Sequence, residues 1–451
     1  MITRTILLTA CSLVLAAPSF AQGSGRLHCA ADNAGLTLPP GFCAQVVSDS
    51  VPGARHVASL PNGDLLVATA TRAGGGVVVL RDTNGDGIAD VRRTFGVGSG
   101  SGIAWRAGKL YFAADSFIVR WQFPAGALEP TGKADTIVSK LLSRGQHAAK
   151  TIALSADGAN LFANIGAPSN SCQKDDRKTE SPGQDPCPIL ENGGGIWRFD
   201  ANRTGQVQGD GERWVTGIRN IVAITMGPDG RTPYGAQHGR DMLSGNWGKL
   251  FDDKKSAENP GEEFFRLQRG ADFGWPFCYW DVDLAKKVLA PEYGGDGRTQ
   301  GKCANVGQPL VAFPGHWAPD GAVFYGGTQF PASYRGGAFI AFHGSWNRAP
   351  LPQAGFNVSF VPFTNGAPSG GHTVFADGFR GKPDEQLHRP TGLAVAADGS
   401  LIVTDDKAGR IYRISWTGKL VTSELPASKR TRPQEARGRA PFVKGPARRE
   451  C

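Results

Sequence analysis

The stretch Leu393-AVAADGSLIVT-Asp405 decides the fold. Two short apolar runs flank an Asp-Gly pair, a strong signal for an antiparallel hairpin with a tight turn. Working outward from it, the same shape recurs in Val57-ASLPNGDLLVAT-Ala70, Ile103-AWRAGKLYFA-Ala114, Ile152-ALSADGANLFANI-Gly166 and Ile224-TMGPDGRTPYGA-Gln237. A looser copy runs from Ala322-VFYGGTQFPASYRGGAFIAF to His343. The copies start at positions 57, 103, 152, 224, 322 and 393. The first spacings, 46 and 49 residues, match one four-stranded blade. The chain therefore reads as all-β, a six-bladed β-propeller. A sandwich or a two-domain all-β protein is the alternative, and six related hairpins speak against it. The later spacings of 72, 98 and 71 residues leave room for insertions, which hold Cys172, Cys187 and the Trp-rich segment Phe273–Trp280. In a propeller such long loops are expected to gather over the central channel and carry function.

Composition agrees with this reading. The chain has 451 residues, 62 of them Gly and 30 Pro, without a Gly-X-Y period, which suits many tight turns between short strands. Arg4, the apolar run Ile6–Ala17 and Ser19-Phe20-Ala21 read as a secretory leader over residues 1–21, cleaved near Ala21. The run is too short to span a membrane. Leu8-Thr9-Ala10-Cys11 resembles a lipoprotein box, but too little apolar sequence precedes it and too much follows. A periplasmic or secreted location follows, with no transmembrane segment expected. The eight cysteines agree. Cys29 with Cys43, Cys172 with Cys187 and Cys278 with Cys303 suggest local disulfides in an oxidising compartment. A metal site is the other use of cysteine; the spacings fit no Cys-x-x-Cys zinc pattern and no c-type haem attachment site. Cys451 is left over.

The net charge of +9 lies mostly in residues 418–451, which carry nine Lys/Arg against three Glu. That Pro- and Ala-rich tail lacks periodicity and reads as disordered and solvated, so no nucleic-acid partner is expected. The propeller domain is expected over 22–417.

Several motifs border the repeats. Ser143-Arg-Gly-Gln-His147-Ala-Ala-Lys150 precedes the third, and a histidine there suits a general base, although a lone His is commonly structural. Gly217-Ile-Arg219-Asn220 precedes the fourth; its Arg offers a planar fork of donors, or a structural pair between blades. Arg55 and Arg389 stand before the first and last repeats, so three arginines occupy equivalent positions and favour a polyanionic ligand. In Gln237-His238-Gly239-Arg240-Asp241, the Gly lets a backbone carbonyl approach a metal or ligand. His343-Gly-Ser-Trp346-Asn347-Arg348 could clamp a planar anion by stacking and ion pairing. Asp82-Thr-Asn84-Gly-Asp86-Gly-Ile-Ala-Asp90 spaces oxygen ligands like a calcium loop but has Arg93 where an EF-hand has Glu; the alternative is a polar hairpin turn.

Together, from about Leu38 to Trp416, these segments resemble the sorbosone dehydrogenase family and, more distantly, soluble quinoprotein glucose dehydrogenase. Gly321–Arg348 and Phe273-Gly-Trp-Pro-Phe-Cys-Tyr279 are the most specific stretches. The resemblance implies a six-bladed propeller that binds pyrroloquinoline quinone (PQQ) beside Ca²⁺ and oxidises a sugar or related alcohol or aldehyde. It implies His147 as catalytic base and Arg219 with Asn220 at the quinone oxygens and substrate. It implies the Gly239 and Arg240 carbonyls at Ca²⁺, and Lys150, His343, Trp346, Arg348, Arg55 and Arg389 around PQQ. Relatives often carry Pro where Arg240 stands, though a carbonyl ligand tolerates any side chain. Hydride would pass to the quinone while His147 takes the substrate proton, and electrons would leave to an external cytochrome or quinone. A calcium-dependent propeller lactonase and a non-catalytic binding propeller are the rival readings.

Overall fold

The computed structural model describes residues 29–71, 74–96 and 98–418. The leader expected over 1–21, Cys11, Cys451 and the basic tail beyond Gly418 lie outside the described residues.

Among the described residues, the main strands gather into six antiparallel sheets of four, with Gln206–Val207 added in parallel to the edge of the second. The six innermost strands are Ala54–Ser59, Gly100–Arg106, Ile152–Leu154, Ala223–Met226, Pro319–Phe324 and Pro390–Val395. Each one overlaps or directly adjoins the start of one sequence repeat. Neighbouring innermost strands touch in order, and the last touches the first, so they ring a channel. The chain is a six-bladed β-propeller, not a sandwich or a pair of domains. Its ring is closed by a strand that the repeats do not contain. Phe42–Ser48 pairs antiparallel with Ile411–Trp416 and becomes the outer strand of the sixth blade.

Blade packing explains the sequence of the second strands. In Leu65–Thr71, Leu65 and Val67 pack with Ile402 and Ala394 of the sixth blade. Leu66 and Ala68 face the other way, onto Leu110 and Phe112 of the second blade. Side chains alternate across a strand, and here both faces are covered, so the strand reads as a continuous apolar run. The same division recurs in Ala338–Phe342, where Ile340 meets the fourth blade and Phe339 meets the sixth. Further clusters join the second blade to the third and the third to the fourth. The core is therefore a closed belt of six interfaces between blades rather than one central cluster. Each fully buried Leu, Ile or Phe contributes roughly 1.5–3 kcal/mol.

Because each innermost strand runs antiparallel to the second, the start of the first and the end of the second meet at one end of the channel. Three insertions cap that end above the third and fourth blades. The first spans 166–194. The second carries short helices Leu243–Trp247 and Asp253–Glu258. The third carries the hairpin Cys278–Asp281 with Lys286–Leu289. Trp275 packs with Cys172 and Cys187, joining the first and third. The three expected disulfides, Cys29–Cys43, Cys172–Cys187 and Cys278–Cys303, are formed. Among the described residues, no helix is long and apolar enough to cross a membrane.

Candidate active site

Strand polarity brings side chains from distant parts of the chain to the capped rim. The residue directly after the second strand is Asp115, Gly166, His238, His343 or Asp406 in blades two to six. Arg55 is the second residue of the first blade's inner strand, Lys150 and Asn220 precede those of the third and fourth, and Arg389 precedes that of the sixth.

His147 occupies the left-handed region with φ 56°. Its Nδ1 donates to the Ala167 carbonyl at 2.6 Å. This bond puts the ring proton on Nδ1 and leaves Nε2 as an acceptor. Burial, then the charge of Arg219, pushes the imidazole well below its ordinary value. His147 is thus held neutral with one free lone pair. Asn220 lies beside it because Gly166 permits the approach. A Cβ on Gly166 would come within 2.6 Å of the His147 Cβ and 2.8 Å of Asn220 Oδ1. Asn164 Nδ2 donates to Asn220 Oδ1 at 2.9 Å and fixes the amide with its NH₂ outward.

Arg219 is buried and pairs with Asp241 Oδ2 at 2.7 Å. Arg177, from the Cys172–Cys187 loop, reaches the same oxygen at 2.8 Å. Burial alone would raise the Asp241 carboxyl; the charge of Arg219 and the hydrogen bond from Arg177 hold it far below the usual range. Across the channel, Arg55 pairs with Asp406 at 2.6 Å and lies 3.6 Å from Asp320. Asp406 also accepts from His343 Nε2 at 2.8 Å, and Asp320 accepts from His238 Nε2 at 3.0 Å. For His238, burial lowers the pKa, but the bond and charge of Asp320 outweigh it and raise it overall.

The rim therefore alternates charge. Asp115, Asp241, Asp320 and Asp406 are functional candidates that the sequence reading did not name. For Asp115 and Asp406 a signal was available: both directly follow second strands, the position that also supplies His238 and His343.

Other expected residues divide. Lys150 is fully buried, yet among the described residues its ammonium donates only to the Ala148 carbonyl. Burial lowers it to about 8, with Asp115 opposing. Trp346 presents a 64% exposed indole between His343 and Asn347. Arg389 donates to the His343 and Gly344 carbonyls at 3.0 and 2.5 Å and braces that segment. Arg348 is committed to the Ala257 and Gly315 carbonyls, tying the loop to the fourth blade's insertion. The Arg240 side chain turns into the insertion and pairs with Glu292 at 2.5 Å.

The Gly239 N–H donates to buried Glu262 at 2.7 Å. Among the described residues, neither the Gly239 nor the Arg240 carbonyl receives a hydrogen bond. Two bare carbonyl oxygens on one turn suit a hard cation. Among the described residues, no three His, Cys, Asp or Glu side chains gather to hold a metal. The Asp82–Asp90 loop is the turn between the third and fourth strands of the first blade. Its carboxylates accept from its own amides: Asp82 from Gly85 and Gly87, Asp86 from Ile88, Asp90 from Thr83.

Comparison with known proteins follows the same lines. The family described as TrAA12-like matches residues 36–417. A pyrroloquinoline quinone-dependent pyranose dehydrogenase of Coprinopsis cinerea is 25% identical over 334 residues, 65% of this chain and 43% of that protein. The chain spans less than half the length of the curated relatives it matches. The holo form of the PQQ domain of a C. cinerea pyranose dehydrogenase superposes with a TM-score of 0.69 at 21% identity, covering 84% of this chain and 97% of that one. A calcium structure of a Trichoderma reesei carbohydrate-active enzyme of family AA12 gives 0.69 at 20% identity, covering 85% and 97%.

Proposed function

Because the chain belongs to the TrAA12-like family, we propose that it is a PQQ-dependent dehydrogenase that oxidises a sugar, or a related alcohol or aldehyde, and passes electrons to an external acceptor. The observation that carries this reading is His147: a neutral imidazole with its Nε2 lone pair free, beside Arg219 and Asn220 under a capped channel mouth.

The residues present fit the cofactor. PQQ is a flat tricarboxylate. Among the described residues the buried Lys150 ammonium has no bonded carboxylate, and Trp346 offers an exposed flat face. With Arg55 and His343, which share Asp406, they would hold such an anion. The bare Gly239 and Arg240 carbonyls would hold calcium. Bound there, PQQ would supply two-electron oxidising power and Ca²⁺ would supply Lewis acidity.

The chain's own residues do the rest. Arg219 and the outward Asn220 amide donate to oxygens at the reacting centre and stabilise developing negative charge. His147 Nε2 takes the proton from the substrate hydroxyl, or from an aldehyde hydrate. The Ala167 carbonyl keeps the Nδ1 proton in place, so the ring cannot present the wrong tautomer. Beside the capping insertions His147 keeps only partial exposure.

A propeller lactonase would need Asp, Asn and Glu gathered on one metal. Here Asp241, Asp320 and Asp406 are spent on Arg and His partners. The disulfides fit a periplasmic or secreted location, and the propeller domain is taken as 22–417.

The test is to add PQQ and Ca²⁺ to the purified protein, record the absorption spectrum, and then titrate with aldoses and keto-aldehydes. A cofactor spectrum that bleaches with one sugar supports the reading. Failure to bind stoichiometric PQQ with Ca²⁺ present would reject it.

A further inference from the structure

We propose that Asp241 is the positioning residue that registers the proton-accepting side of the site against its cofactor-binding side, an inference that rests on the quinoprotein reading above. Its carboxylate receives donors from three separate segments. Arg219 Nη2 comes from the connection into the fourth blade at 2.7 Å. Arg177 Nη2 comes from the Cys172–Cys187 loop at 2.8 Å. Asn347 Nδ2 comes from the fifth blade's rim at 2.9 Å.

Each donor leads to a different part of the site. Arg177 also donates to Gln146 Oε1 at 2.7 Å, next to His147. Asn347 adjoins Trp346. Arg219 is the electrostatic contact itself. The carboxylate is in turn locked by its own backbone: Asp241 N–H donates to Asn170 Oδ1 at 2.8 Å, and Asn170 Nδ2 donates back to the Asp241 carbonyl at 3.0 Å. Asn170 also holds Arg219 through its Oδ1 and its carbonyl at 3.1 and 3.2 Å. One anion is thus clamped in place and shared by two guanidiniums and one amide. A neutral side chain of the same shape cannot accept from all three, and the two guanidiniums would then repel.

The groups that face His147 electrostatically are Arg219, His238 and Asp241, of which only Asp241 raises its pKa. Removing that charge should therefore lower the base further. The acid limb therefore reads the Asp241 charge at His147, while the split between kcat and KM and rescue by formate separate positioning from a structural ion pair.

The experiment compares native protein with Asp241→Asn and Asp241→Ala. It measures PQQ affinity by indole fluorescence, melting temperature, and kcat and KM against pH for whichever sugar the native holoenzyme oxidises. Asp241→Asn is expected to stay folded, lose about 100-fold in kcat with little change in KM, bind PQQ about 30-fold more weakly, and shift its acid limb to lower pH. Added formate is expected to restore part of the kcat of Asp241→Ala and none of that of His147→Ala. Native-like kcat and PQQ affinity in Asp241→Asn would overturn the proposal. So would losses that only follow the folded fraction, with no rescue by formate. Native protein that binds no PQQ would overturn the quinoprotein reading, and the proposal with it.

Discussion

His147 Nδ1 donates to the Ala167 carbonyl at 2.6 Å, and this one bond decides which ring nitrogen can accept a proton. Replacing the ring should therefore remove chemistry without removing the site. His147 is in the left-handed region, which asparagine tolerates better than most residues. His147→Asn is expected to keep its melting temperature and PQQ affinity and to lose roughly 10²–10⁴-fold in kcat. Stopped-flow reduction of bound cofactor checks it; a variant within tenfold of native would remove His147 from the role.

The same imidazole sets the acid limb. Burial, then Arg219, favours the neutral ring, so the folded pKa lies below the ordinary value of about 6.5. Only the neutral ring accepts a proton. The kcat/KM profile should therefore stay level as pH falls through the ordinary histidine range and drop only below it. An acid limb centred above pH 6.5 would contradict the assignment.

Gly166 is where the base and Asn220 approach each other. A methyl there meets the His147 Cβ at 2.6 Å and Asn220 Oδ1 at 2.8 Å. Neither neighbour is a flexible chain end. Gly166→Ala should cost about 1–3 kcal/mol in stability and lower kcat/KM more than Gly158→Ala. Gly158 has open space for a Cβ, although its φ of 70° carries its own strain. Equal activity in the two variants would mean that close packing at Gly166 is unimportant to the chemistry.

The blades were legible because each hairpin is local: a turn with Gly, Asp-Gly or Asn-Gly in four of the six, between two apolar runs needs no partner elsewhere. Phe42–Ser48 was not, since its pairing with Ile411–Trp416 spans almost the whole chain and leaves no local turn. The rim shows the same limit. His147, Arg219 and Asn220 stand in motifs, but Asp406 acquires meaning only through Arg55, 351 residues away in sequence, and His343 on the neighbouring blade. Asp241 stood inside a quoted motif and still went unnamed, because its three donors come from three segments that only the closed ring brings together. Arg348 shows the converse: a cation in a persuasive motif whose guanidinium is taken up by three backbone carbonyls.

Lys150 is expected to trade stability for binding. Its ammonium is fully buried with a backbone carbonyl as its bonded partner, and burial lowers it to about 8. Lys150→Met removes a poorly compensated buried charge at similar volume. The cofactor-free variant should melt at or above the native temperature, while PQQ affinity falls at least about tenfold, the loss of one charge-assisted hydrogen bond. Calorimetry without cofactor and fluorescence titration with it separate the two effects. A variant that melts lower and binds PQQ normally would make Lys150 purely structural.

His56 gives a stability prediction with a definite sign. The ring is buried and its Nε2 donates to the Asp320 carbonyl at 2.8 Å. Burial, aided by the charge of Arg55, lowers its pKa from 6.5 to about 4 in spite of that bond. The unfolded chain takes up a proton as pH falls through about 6.5, whereas the folded protein does so only near 4. Stability from this group is therefore complete above the unfolded value and declines on acidification, by up to about 1.4 kcal/mol per pH unit. His147 acts in the same direction. His238, raised by Asp320, acts in the opposite one: its contribution is present at low pH and is lost as pH rises through its folded value. The difference between native protein and His56→Gln isolates the term, since glutamine can still donate to the Asp320 carbonyl. Between pH 7.5 and 5, native protein should lose about 2 kcal/mol more than His56→Gln in denaturant unfolding. Parallel losses in the two proteins would mean that His56 is already protonated in the folded channel.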